Sequence, residues 1–93
     1  MASYQLSLEA DADIDDILTF GIHQFGLEAA LHYHDLLKNH FEEIAQHPLH
    51  HMKVDYITFG TRRSVFRSHS IYFNLNDGDV FIERIIGRQV YNK

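Results

Sequence analysis

From Ser3 to Leu8 apolar and polar residues alternate, with Tyr4, Leu6 and Leu8 on one side and Ser3, Gln5 and Ser7 on the other. A period of two predicts a half-buried strand. The period then lengthens: Ile14, Ile17, Leu18, Gly21 and Phe25 recur at helical spacing, preceded by Asp11, Asp13, Asp15 and Asp16. Carboxylates in a first turn are stabilised by the positive end of a helix, by about 0.3–1 kcal/mol each. The acid cluster is therefore read as a helix start and not as a divalent-cation site. Gly26 closes this helix as a C-terminal cap. A second helix is predicted from Glu28 to Gln46, where Ala29, Tyr33, Leu36, Leu37, Phe41 and Ile44 form one apolar stripe, and Pro48 ends it. Two amphipathic helices joined by one or two residues are antiparallel neighbours, and the apolar side of such a hairpin needs a sheet to cover it.

Strands follow Met52. As one strand, Thr61 to Leu75 would measure about 50 Å, in a chain whose radius of gyration should be near ~12 Å. A turn is required, and Arg67-Ser68 is its predicted place, between strands Arg62–Phe66 and His69–Asn74. Asn76-Asp77-Gly78-Asp79 is a strong hairpin signal. The last strand is predicted from Val80 to Ile86, with Gly87 and the polar tail Arg88–Lys93 leaving the fold. The predicted class is α+β, in the order β-α-α-β-β-β: a helical hairpin packed on a small antiparallel sheet, one domain over residues 1–93.

Composition narrows the function classes. The chain is 45% hydrophobic with one proline, so a packed core is expected over most of its length. Without cysteine it can form neither a disulfide framework nor a thiolate metal site. The first twenty residues are acidic where a signal peptide would be basic, and no apolar run exceeds three residues. The expectation is a cytoplasmic protein without membrane contact. Residues 1–52 carry nine acids and one base; residues 53–93 carry four acids and seven bases. An acidic half would repel phosphates, so direct nucleic-acid binding is not expected, whereas the basic half suits an anionic partner. Six histidines lie in or just after the second helix. His47 and His51 have the spacing of a zinc pair, but Pro48 breaks the turn between them and no HExxH string occurs. Surface histidines are expected, with no metal site and no cofactor.

The basic half centres on Gly60 to Phe73, GTRRSVFRSHSIYF, where Arg62, Arg63, Arg67, His69 and three serines lie along strand-forming residues. Adjacent strand residues point to opposite faces, so Arg62 and Arg63 cannot serve one site. Parity along the last strand groups Arg84 with Val80, Ile82 and Ile86 and not with Glu83. Cleaving RNA through its own 2′-hydroxyl needs a base, an acid and cations. The arginines and His69 supply part of this set, with Tyr72 or Tyr91 as distant second proton donors, but the set is incomplete. A binding role needs nothing more: guanidinium groups pair bidentately with carboxylates, so an arginine-bearing sheet suits a short acidic helix or strand.

One string of residues runs through the chain: Leu6-Ser7, Ala10, Asp13-Ile14, Ile17 and Phe25-Gly26, then Ala30, Tyr33, Leu37, Phe41, Ile44-Ala45 and Pro48. Gly60, Arg62, Ser68-His69, Ile71-Tyr72-Phe73, Asp77-Gly78 and Arg84-Ile85-Ile86 complete it. In this order and spacing the chain resembles the ParE-type toxins of the RelE/ParE toxin–antitoxin superfamily. The resemblance implies a toxin held silent by an antitoxin (ParD-like) whose acidic C-terminal segment wraps its helices and sheet. For the ParE branch it implies inhibition of DNA gyrase, and for the RelE branch ribosome-dependent cleavage of messenger RNA. Many relatives carry histidine where this chain has Gly87, and Gly-Arg where it has His51-Met52. The first departure removes an acid–base group and turns the expectation towards a non-enzymatic gyrase inhibitor with no catalytic residue. Arg62, Arg63, Arg67, His69, Arg84 and Arg88 are then the residues expected to bind antitoxin or target. A ribosome-dependent endoribonuclease, or a non-toxic module that still binds an antitoxin, are the alternatives.

Overall fold

The computed structural model describes residues 3–54 and 60–87. Its first junction is set by Ser7. The backbone N–H of Ser7 donates to the Ile82 carbonyl at 2.9 Å, extending the pairing of β1 (Tyr4–Leu6) with β5 (Asp79–Gly87). The Ser7 hydroxyl accepts from the Ala10 N–H at 2.9 Å and donates to the Glu83 carbonyl at 2.7 Å. One residue thus ends a strand, caps a helix and ties both to the sheet. Helix α1 (Leu8–Phe25) therefore starts before the acid cluster, and only Glu9 and Asp11 of the acids lie in its first turn. Leu8, expected to face inward from the strand, is 90% exposed at the first helical position. Ser7→Ala removes the cap and the Glu83 contact together and should cost about 1–2 kcal/mol in urea unfolding.

A single residue, Gly26, separates α1 from α2 (Leu27–Gln46). At φ 94° and ψ 164° it occupies backbone space that is essentially reserved for glycine. Its N–H closes α1 on the Ile22 carbonyl, and its own carbonyl accepts from Ala30 to open α2. The two arms approach closely: a Cβ on Gly21 would stand 3.3 Å from that of Ala30. A short 3-10 turn (Pro48–His50) and β2 (Met52–Lys53) follow.

The sheet has the order β1-β5-β4-β3-β2, with β3 at Arg62–Phe66 and β4 at His69–Asn76. From β3 to β5 it is the predicted antiparallel meander, broken at Arg67-Ser68 and Asp77-Gly78, and β2 extends it antiparallel to β3. What the hydrophobic pattern did not announce is β1 on the far edge, running parallel to β5, together with the two-residue β2. The helical hairpin covers one face. Leu37, Phe41 and Ile44 of α2 and Ala10 and Ile14 of α1 pack on Ile71, Phe73, Val80, Ile82 and Ile85. Tyr4 meets the Phe41 ring edge-on at 5.5 Å.

A β-bulge corrects the parity of the last strand. Tyr72 pairs with Arg84 but Phe73 pairs with Ile82, so Glu83 is the extra residue. The alternation shifts by one at that point: Ile85, not Ile86, enters the core, and Arg84 leaves the face of Val80 and Ile82. Asn74 holds the bulge by donating to the Glu83 carboxylate. Among the described residues no helix is long and apolar enough to cross a membrane.

Candidate functional site

Between the inner faces of the two helices and the ends of β4 and β5 the hairpin leaves a groove of about 1220 Å³. Its walls are Phe20 and Gly21 of α1 and Ala30, Tyr33 and Leu36 of α2. Phe20 is 46% exposed and Phe25, at the hairpin tip, 71%, so large apolar side chains are presented to whatever lies there. The far end is polar, built by the β3–β4 turn. Arg67 takes φ 56°, and its guanidinium lies 5.4 Å from the Phe66 ring and 5.9 Å from the Tyr33 ring. His69, 6% exposed, places Nδ1 2.7 Å from the Tyr33 hydroxyl. Burial raises the Tyr33 pKa, against the opposing pull of the Arg67 charge and a hydrogen bond from Ser68.

The sheet divides the candidate cations. Arg67 and His69 meet at the groove. Arg62 faces the helices, where Nη1 donates to the His51 carbonyl at 2.8 Å. Arg63 points the other way, as adjacent positions must, with Nε 3.0 Å from the Ser70 hydroxyl. Arg84 lines the groove's edge and makes a two-pronged pair with Asp13, at 2.8 and 3.1 Å. The same Asp13 carboxylate accepts the Ile85 N–H at 2.9 Å. Asp13 is thus not a helix-start acid but the partner of β5 where β1 has ended. Arg88 and Tyr91 lie outside the described residues. Sequence reasoning placed Tyr33 and Leu36 on the core stripe and passed over Phe20. The signal available was the Tyr33 hydroxyl, which needs a polar partner wherever the ring is buried.

Two of the histidines expected at the surface, His40 and His51, are partly buried and held in side-chain contacts. His40 Nε2 lies 2.7 Å from the Ser64 hydroxyl, with Nδ1 3.5 Å from Glu43, and its ring neighbours those of Phe66 and His51. His51 stands edge-on to Phe73. Burial lowers the pKa of His40, His51 and His69 below the ordinary 6.5, and for the first two it outweighs the opposing Glu43 charge. The folded state then keeps these rings neutral while the unfolded chain takes up protons. Stability should be complete above the ordinary histidine value and fall as pH drops through it. Thermal melts from about pH 7.5 to about pH 5 should show this, with a slope of at most about 1.4 kcal/mol per pH unit per histidine. Among the described residues no group of three or more His, Asp or Glu side chains is placed to hold a metal ion.

The chain is an α+β module with an open, mainly apolar groove that carries Arg67 at one end. The chain belongs to the ParE toxin family. The family model described as the ParE toxin of the type II toxin–antitoxin system, parDE, matches residues 4–90. Toxin ParE1 of Caulobacter vibrioides is 35% identical over 75 residues, 81% of this chain and 78% of that protein. A solved structure of the chromosomal ParDE TA system from P. aeruginosa shares the fold. It aligns with a TM-score of 0.81 at 21% identity, over 94% of this chain and 96% of that one.

Proposed function

We propose that this ParE toxin acts in the cytoplasm by binding and inhibiting DNA gyrase, without catalysis, and is silenced by an antitoxin whose acidic, amphipathic C-terminal segment occupies the groove. The observation that carries the antitoxin's seat is the groove itself. It offers an apolar length for the buried face of a helix and a cationic end for its acids. A non-catalytic mode is supported by the dispersal of the candidate groups. RNA cleavage would need cations and an acid–base pair around one phosphate. Here Arg62 is turned to the His51 carbonyl and Arg84 to Asp13, while His69 is buried against Tyr33. The gyrase target rests on family membership. Purified toxin added to a gyrase supercoiling reaction should lower supercoiling and trap cleaved DNA, and adding the antitoxin should restore it. Full supercoiling at micromolar toxin with no cleaved DNA would overturn the target.

A further inference from the structure

We infer that His69 and Arg67, with Tyr33 as the positioning residue, form a donor-only end of the groove that selects a carboxylate on the bound segment. This role rests on the groove being the antitoxin's seat, as proposed above. The proton positions follow from the hydrogen bonds. A phenol O–H is a far stronger acid than the N–H of a neutral imidazole, and the bare ring nitrogen is a stronger base than the phenolic oxygen. Across the 2.7 Å between them the Tyr33 hydroxyl therefore donates to His69 Nδ1. A neutral imidazole whose Nδ1 accepts must carry its hydrogen on Nε2. Burial lowers the His69 pKa and so favours the neutral ring.

His69 and Arg67 both line the groove, so this end offers the Nε2–H and the guanidinium N–H groups, neither of which accepts a hydrogen bond. A carboxylate satisfies both. A lysine or arginine would meet a cation and a donor, and an alkyl group would leave the imidazole N–H unpaired. The other charged or titratable groups along the groove are Asp13, Asp16, His32 and Arg84. Asp13 is engaged by Arg84, and so Arg67 sets the charge beside Tyr33. The fitting segment has apolar side chains along Phe20 and Leu36 and an acid that reaches the turn between β3 and β4.

The test uses the full-length toxin and a synthetic peptide of the antitoxin's C-terminal segment. Histidine ring nitrogen–proton spectra of the free toxin should show His69 as the Nε2–H tautomer, and the Nδ1–H form would overturn the assignment. In calorimetry, Tyr33→Phe and His69→Leu should each weaken the peptide about tenfold. His69→Gln, whose amide nitrogen replaces Nε2, should stay within about threefold. Should His69→Leu fail to fold, the contact is read from the other side. Changing one peptide acid to its amide should cost about tenfold against wild type and much less against Arg67→Ala. Affinities unchanged across these variants, with Phe20 and Leu36 signals still shifted by the peptide, would overturn the carboxylate end and leave groove docking standing. A peptide that leaves those signals unmoved would overturn both.

Discussion

Phe20→Asp is expected to lower antitoxin affinity about a hundredfold while leaving the melting temperature nearly unchanged. Phe20 projects from α1 over the groove and is half exposed, so the fold does not depend on burying it. A docked helix would cover the ring, and truncating a central aromatic anchor typically costs about 2–4 kcal/mol of binding. Aspartate adds a charge that must be desolvated against Leu36 and Ala30. Val65→Asp is the matched control. Val65 is also exposed but lies on β3 between Ser64 and Phe66, which face the helices, so its own side chain points away from them. Calorimetry with purified antitoxin separates the two. Equal losses, or none, would move the antitoxin off the groove.

Asp13→Ala should destabilise the fold by about 2–4 kcal/mol. Its carboxylate, 13% exposed, accepts three hydrogen bonds at once: two from Arg84 and one from the Ile85 backbone. Alanine would strand the Ile85 N–H at the point where β5 has lost its ladder partner, and would remove the two-pronged contact with Arg84. Arg84→Ala, by contrast, keeps the backbone contact and removes a half-exposed pair, for a cost of about 0–1 kcal/mol. Urea midpoints of the two variants decide whether the carboxylate serves mainly the sheet edge or the arginine. Charge reversal at Arg84 would disturb this junction as well as any partner, so loss of binding there has to be read beside a melt.

Features with local causes were legible in the sequence. The helix periods, the glycine between them and the Asp77-Gly78 turn each follow from residues within a few positions, and the Arg67-Ser68 turn from the length that one unbroken strand would have. The missing features depend on contacts between distant segments. Nothing near Tyr4 indicates that it will lie parallel to Val80, and nothing around Glu83 marks a bulge, since no glycine stands there. That one extra residue exchanged Ile85 for Ile86 in the core and turned Arg84 towards α1. The groove's polar end joins Tyr33 to His69 across 36 positions. One clue was present in the helix itself: Tyr33, Leu37, His40 and Ile44 fall at helical spacing on one stripe, which placed two polar rings on the inward face. Read that way, His40 is a partly buried histidine turned to the sheet, and Ser64 is its partner.

The arms of the helical hairpin are held close at the tip, by a one-residue link with a glycine-only backbone and, about one turn along, by the near-touch of Gly21 and Ala30. A wall joined in this way does not widen to admit a preformed shape, so accommodation falls on the guest. A segment that becomes helical only on arrival loses about 1–2 kcal/mol of backbone freedom for each residue it orders. Among antitoxin variants with identical contact residues, affinity should therefore rank by how much helix each tail already forms alone in solution.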